Sequence, residues 1–278
     1  MNTPLRLGAH AAALALVFGA AWGVGTTAPV PVATGALAHD ADGDVGAAPR
    51  GLTATAAGYT LTPQVSSLAP GRPGEYSFTV TGPDGRSVTA YDRPLRLVVV
   101  RRDAAGFQHL HPDRGPDGVW RVRLTLPAGG VYRVYVDIVP TGGPALVLGA
   151  DLFAPGDFTP IPLPPSRVAH VDGYRVRLDG DLVPGRDAQV FATVTRGGVP
   201  VTDLEPHLGA FGHLVSLRRS DLAYLQVRPA APPPQPGDRS GPGIAFVTEV
   251  PSAGGYRLFL EFRHGGVVRT AEFTVGTS

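Results

Sequence analysis

Two stretches of the chain can be laid over one another in order, and this internal repeat limits the possible folds more than any other feature. Gly58 to Val80 (GYTLTPQVSSLAPGRPGEYSFTV) matches Gly173 to Val194 (GYRVRLDGDLVPGRDAQVFATV), and Val88-Thr89 matches Val201-Thr202. Further on, Leu95 to Pro112 (LRLVVVRRDAAGFQHLHP) matches Gly212 to Pro229 (GHLVSLRRSDLAYLQVRP), and Pro127 to Ile138 matches Pro251 to Phe262. Such self-similarity marks a tandem duplication, so the fold of one copy must serve the other. The 278 residues leave room for two domains at roughly 150 residues each.

Within each copy the hydrophobic period is 2. Trp120, Val122, Leu124 and Leu126 alternate with polar residues that include Arg121 and Arg123, the pattern of a strand buried on one face. Turns rich in Gly, Pro and Asp, such as Gly82-Pro83-Asp84-Gly85, separate about seven such runs per copy. Gly 37 and Pro 29 together make about 24% of the chain, which with 43% hydrophobic residues suits turn-rich β structure rather than low complexity. The fold class predicted is all-β: two tandem immunoglobulin-like β-sandwiches after an N-terminal export or anchor segment. Sandwich one is assigned to residues 53–155 and sandwich two to 168–278, with equivalent strands and no shared core. Between them, Ala154 to Arg167 carries five Pro and reads as a semi-rigid linker, placed at 156–167. Pro229 to Gly243, also Pro- and Gly-rich, falls inside copy two as an expanded loop.

Arg6 precedes the apolar run Ala11 to Val24, which has the charge and length of a signal-peptide core. Residues 1–28 are therefore read as a signal peptide or signal anchor. Leu7 to Val24 is 18 residues and contains His10, short of the roughly 20 apolar residues that span a bilayer. The best cleavage motif, Ala36-Leu37-Ala38, stands 14 residues beyond Val24. Residues 29–52 contain few large apolar side chains and read as a tether, in which His39-Asp40-Ala41-Asp42 is either a metal contact or part of a solvated tail. The expected location is extracytoplasmic, secreted or anchored to the cell membrane.

The side-chain inventory narrows the chemistry. Cys is 0 and the single Met is Met1, which removes disulfides, thiolate catalysis, iron–sulfur clusters and thioether copper sites. All 24 basic residues are Arg, so Schiff-base and Ser-Lys chemistry are impossible. They nearly balance 23 acidic residues and form no basic stripe, which argues against a nucleic-acid partner. No Gly-x-Ser-x-Gly elbow, P-loop, dinucleotide fingerprint or HExxH is present, and the chain is read as a non-enzyme.

His109-Leu110-His111 is the sharpest local feature. In a strand, residues i and i+2 face the same side, so two imidazoles converge while Leu110 turns to the core. A third ligand must come from elsewhere in the fold, and Asp103, Asp113 and Asp137 are the nearest guesses. The competing reading is a surface pair at a strand end. His213 aligns with Arg96 of copy one, and Gln226 and Arg228 align with His109 and His111. Each copy therefore holds a different part of a three-His set. His264, in EFRHGG, is a further candidate ligand beside His213; for both the competing reading is a hydrogen-bonded His near a loop. Asp137 and Glu261, four residues after Arg133 and Arg257, suggest Arg–carboxylate neighbours on one strand. His170 and His207 sit at turn-like positions and receive no role.

The strings LRLVVVRRDAAGFQHLHP, GAFGHLVSLRRSDLAYLQVRP and GGYRLFLEFRHGGVVRTAEFTV resemble actinobacterial exported proteins built from tandem YtkA-like or CopC-like sandwiches of the heavy-metal-binding type, over nearly all of Thr53 to Val275. The resemblance implies an extracytoplasmic role in handling copper or a similar metal. The family's HLHP motif falls on His109, His111 and Pro112. Its second-domain pattern, GHLV followed by HVHP, is met at His213 but not at Gln226 and Arg228. The expected ligand is copper(II) or zinc; the alternative is a structural or interaction module docking a membrane or envelope partner without metal.

Overall fold

The computed structural model describes residues 49–278 apart from Pro236. The export segment, most of the tether and His39 to Asp42 lie outside the described residues. Copy one contains β1 (Thr55–Ala56), β2 (Tyr59–Pro63), β3 (Pro73–Thr81), β4 (Arg96–Arg101), β5 (Gln108–Leu110), β6 (Asp113–Arg114), β7 (Trp120–Thr125), β8 (Gly130–Ile138) and β9 (Leu146–Ala154). Copy two contains β10 (Val168–Val171), β11 (Tyr174–Asp179), β12 (Arg186–Arg196), β13 (Val199–Pro200), β14 (His213–Arg218), β15 (Tyr224–Leu225), β16 (Val227–Pro229), β17 (Gly243–Val250), β18 (Gly255–His264) and β19 (Val267–Gly276). There is no helix among the described residues.

Each copy is a two-sheet sandwich, as the alternating pattern predicts. In copy one the sheets run β1-β2-β3-β7-β6 and β5-β4-β8-β9; in copy two they run β10-β11-β12-β17-β16, with β13 on β12, and β15-β14-β18-β19. All strand pairs are antiparallel, and the long strands correspond one to one between copies. Strand β12 shows the cause plainly: Ala188, Val190, Ala192 and Val194 point into the copy-two core, while the residues between them turn outward. Leu110 packs against the core of copy one, leaving its two flanking His residues on the other face.

Each copy has its own core, but the expectation that they share none does not hold. Strands β4 and β14 are apolar on both faces. Leu97 and Val99 enter the core of copy one, and Leu214 enters that of copy two. The intervening Val98, Val100, Val215 and Leu217 join Ala104, Tyr135, Leu222 and Phe259 in a third cluster drawn from both copies. Phe107 stacks on Phe259 with ring centroids 4.1 Å apart, and the Tyr135 hydroxyl donates to the Leu222 carbonyl at 2.5 Å. A strand with one wet face alternates; the unbroken runs LVVV and LVSL satisfy two buried faces at once.

The linker is also tied down. Arg101, paired with Asp103, donates to the Thr159 carbonyl at 3.2 Å, and the Asp103 carboxylate accepts from the Ile161 amide at 2.9 Å. Leu163 packs against the interdomain cluster. In the copy-two loop, by contrast, residues 230–235 and 237–239 carry no strand and are largely exposed. Brief digestion with a nonspecific protease should cut first near Gly237 to Arg239, because cleavage needs a locally extruded backbone. A first cut within 156–165 would contradict this account of the linker.

Candidate functional site

Strand register sets up the site. On β4, Arg96 shares a face with Val98 and Val100, and its cross-strand partner on β8 is Asp137. On β14, His213 shares a face with Val215 and Leu217, and its partner on β18 is Glu261. His109 on β5 stands opposite Val98, so it also faces copy two. Packing these two faces together brings polar side chains from both repeats to one edge of the shared apolar cluster.

There, His109 Nδ1 lies 2.5 Å from Glu261 Oε2, and His213 Nδ1 lies 3.4 Å from the same oxygen. The His109 side chain is 1% exposed and that of Glu261 7%. Arg96 Nη1 lies 3.1 Å from His213 Nε2 and Arg96 Nη2 3.2 Å from Asp137 Oδ2, while Asp137 Oδ1 accepts from Arg93 at 2.6 Å. A guanidinium can only donate, so His213 Nε2 must accept and its proton resides on Nδ1, toward Glu261. His109 Nε2 is buried without a partner among the described residues. His109 Nδ1 faces an ionised carboxylate, which can only accept, so its proton also points at Glu261 and its Nε2 keeps a free lone pair.

Burial pushes the Glu261 carboxyl up, but the hydrogen bond from His109 and the nearby His213 ring more than reverse this and hold it at about 2. Burial pushes His213 below the ordinary imidazole value, against the pull of Glu261, and pushes His207 down as well. At neutral pH the cluster is a carboxylate beside a neutral His213. Since the folded state holds His213 and His207 down, the unfolded chain binds more protons below about pH 6.5. Stability should thus be full above that value and decline as pH falls beneath it. A further loss follows below about 4.5, where free Glu protonates and the folded Glu261 does not. Thermal melts of the chelator-treated chain between pH 7.5 and 4 test this; a melting temperature that holds constant or rises on acidification contradicts it.

The third partner of the histidines is Glu261, from copy two, rather than Asp103, Asp113 or Asp137. Asp103 is held by Arg101, and Asp137 by Arg93 and Arg96. His111 stands beside the cluster, its ring 5.2 Å from that of His109 and open to solvent. The structure does not bring His264 into it: its Nδ1 is bonded to the Tyr174 hydroxyl at 2.5 Å and its Nε2 to Asp203 at 2.9 Å. The Arg–carboxylate pairing along one strand is corrected too. Arg133 pairs with Asp151 and Arg257 with Glu272, because cross-strand neighbours are closer than residues four apart on one strand. His207, given no role from sequence, lies close enough to feel the charges of Glu261, His109 and His111. A lone His in a turn carries no periodic signal that would have found it.

A family model described as a domain of unknown function (DUF8832) matches residues 54–147 and 169–278. The chain belongs to this family. The two DUF8832 repeats coincide with the two sandwiches, and the candidate site lies where they meet. Among curated proteins, none matches significantly. Among solved structures the chain is similar to the Escherichia coli adhesin FdeC, at 11% identity over 80% of this chain and 64% of that one, TM-score 0.28. It is similar to Escherichia coli alpha-2-macroglobulin activated by porcine elastase, at 16% identity over 79% of this chain and 20% of that one, TM-score 0.28. Invasin, a bacterial integrin-binding protein, shows 11% identity over 77% of this chain and 39% of that one, TM-score 0.22. The chain spans less than two thirds of each of these proteins, and at such scores the likenesses carry no weight for function.

Proposed function

We propose that this protein is an exported, non-enzymatic member of the DUF8832 family that binds one divalent cation, copper(II) or zinc, between its two repeats. The cation takes the place of the protons that His109 and His213 direct at Glu261, with His111 at the open edge. The observation that carries this reading is that ligand atoms of His109, His213 and Glu261 all lie within 4.8 Å of one another. Two imidazoles and a carboxylate suit copper(II) and zinc. The complementary His sets of the repeats support it, as does the resemblance of HLHP and GHLV to exported heavy-metal-binding sandwiches. The N-terminal charge and apolar run support export.

Equilibrium dialysis of the full chain against copper(II) and against zinc tests the proposal. One equivalent per chain is expected, with copper(II) the tighter in the Irving–Williams order. Proton competition at His213 should set in only below about pH 6.5, because burial holds that ring below its free value. No retained metal would favour the interaction-module alternative.

The fixed tautomer of His213 sets a sharper expectation. A cation on His213 Nδ1 moves the ring proton to Nε2, where it meets the Arg96 donor. Arg96 must then let go, so Arg96→Gln, whose carbonyl oxygen can accept that proton, should tighten metal binding by about tenfold, the worth of one hydrogen bond. Arg93 still neutralises Asp137 in this variant. Unchanged or weaker binding in a titration would contradict the ligand geometry.

A further inference from the structure

The repeat places a second, differently charged site opposite the first. At the position equivalent to His213 copy one has Arg96, and at the position equivalent to Glu261 it has Asp137. The residue equivalent to His109 is Gln226, which accepts from Arg50 at 2.7 Å. Arg93 reaches the same carboxylate as Arg96. These residues line a cavity of about 160 Å³, with His213 in its wall.

The charge and hydrogen-bond inventories of this cavity are lopsided. Three guanidiniums face one carboxylate among the lining residues, a surplus of two positive charges. Each guanidinium carries five N–H donors. The lining side-chain acceptors they meet are the Asp137 oxygens, Gln226 Oε1 and His213 Nε2. The Nε atoms of Arg93 and Arg96 are buried without partners among the described residues. A pair of Arg residues serving only to neutralise Asp137 would leave neither the third guanidinium nor the open volume. The complement of excess donors, two spare positive charges and room for several waters is a compact group that only accepts.

We infer that the cavity bounded by Arg50, Arg93, Arg96 and Gln226 is a binding site for a tetrahedral oxyanion of the phosphate type. The anion sits on the guanidinium edges turned away from Asp137, since that carboxylate would repel it. The same chemistry is offered by free phosphate and by a phosphate monoester, and the cavity mouth at partly exposed Arg93 leaves space for an ester substituent.

Thermal melts of the full chain with chelator present, so that metal binding plays no part, test this independently of the metal proposal. Inorganic phosphate and glycerol 3-phosphate are each titrated at constant ionic strength set with sodium chloride. A rise in melting temperature that grows with the logarithm of ligand concentration, as binding to the folded state alone requires, is expected with at least one of them; the one giving the larger rise at equal concentration identifies the source. The double variant Arg50→Gln with Arg93→Gln, which retains the Arg96–Asp137 pair, should weaken the effect at least about tenfold. Gln226→Glu, placing a carboxylate beside Arg50 without deleting any guanidinium, should do the same and serves where the double variant fails to fold. No rise beyond that in chloride alone, or an equal rise in the variants, would overturn the inference.

Discussion

Glu261→Gln is expected to weaken copper(II) binding by at least about 100-fold, the upper end of what even an orienting partner outside the ligand set is worth. The amide keeps the shape but removes the negative charge, and it presents either one oxygen or a donor to two imidazole nitrogens that both need an acceptor. The isolated ion then meets Arg96 nearby with no charge to offset it. The same substitution removes a carboxylate held at about 2, so the acid-side loss of stability below about pH 4.5 should shrink with the metal affinity, leaving the share of Asp103 and Asp221, which are also held down. Copper(II) titration calorimetry and acid melts read the two effects, and retention of wild-type affinity would remove Glu261 from the site.

Phe259→Ala should lower the melting temperature by on the order of 10 °C. Phe259 is fully buried, stacks on Phe107 of the other repeat and is covered on its face by the Arg257 guanidinium at 4.9 Å. Removing a buried Phe side chain costs about 3–5 kcal/mol, and roughly 2–4 °C is lost per kcal/mol in a unit of this size. Because the interdomain cluster takes about equally from both repeats, the two sandwiches should also melt together. Differential scanning calorimetry should show one transition in the parent chain; two well-separated transitions, or a variant that melts with the parent, would contradict the shared core.

Strand content and duplication were legible because period-2 patterns and repeat alignment depend on local sequence. The candidate site was legible in its parts: His109 and His111 from their spacing, and His213 from its place opposite Arg96 in the alignment. Their partner was not, since Glu261 is separated from His109 by 152 residues and meets it only through packing of one repeat on the other. A signal for that packing did exist. The runs LVVV in β4 and LVSL in β14 lack the alternation shown by β7 and β12, and a non-alternating strand in an antiparallel sandwich has something apolar on both sides. His264 misled for the same reason: its neighbours Tyr174 and Asp203, which occupy both ring nitrogens, are close only in the fold.

The central claim is that one metal site is assembled from both repeats, and isothermal titration of copper(II) into the full-length parent, His109→Ala and His213→Ala proteins tests it most directly. The account predicts one site per parent chain and a comparable loss, at least about 100-fold, in each single variant, because each removes one of the three ligands of a shared ion. Two sites per chain, or a His213→Ala protein that binds as the parent does, would contradict it.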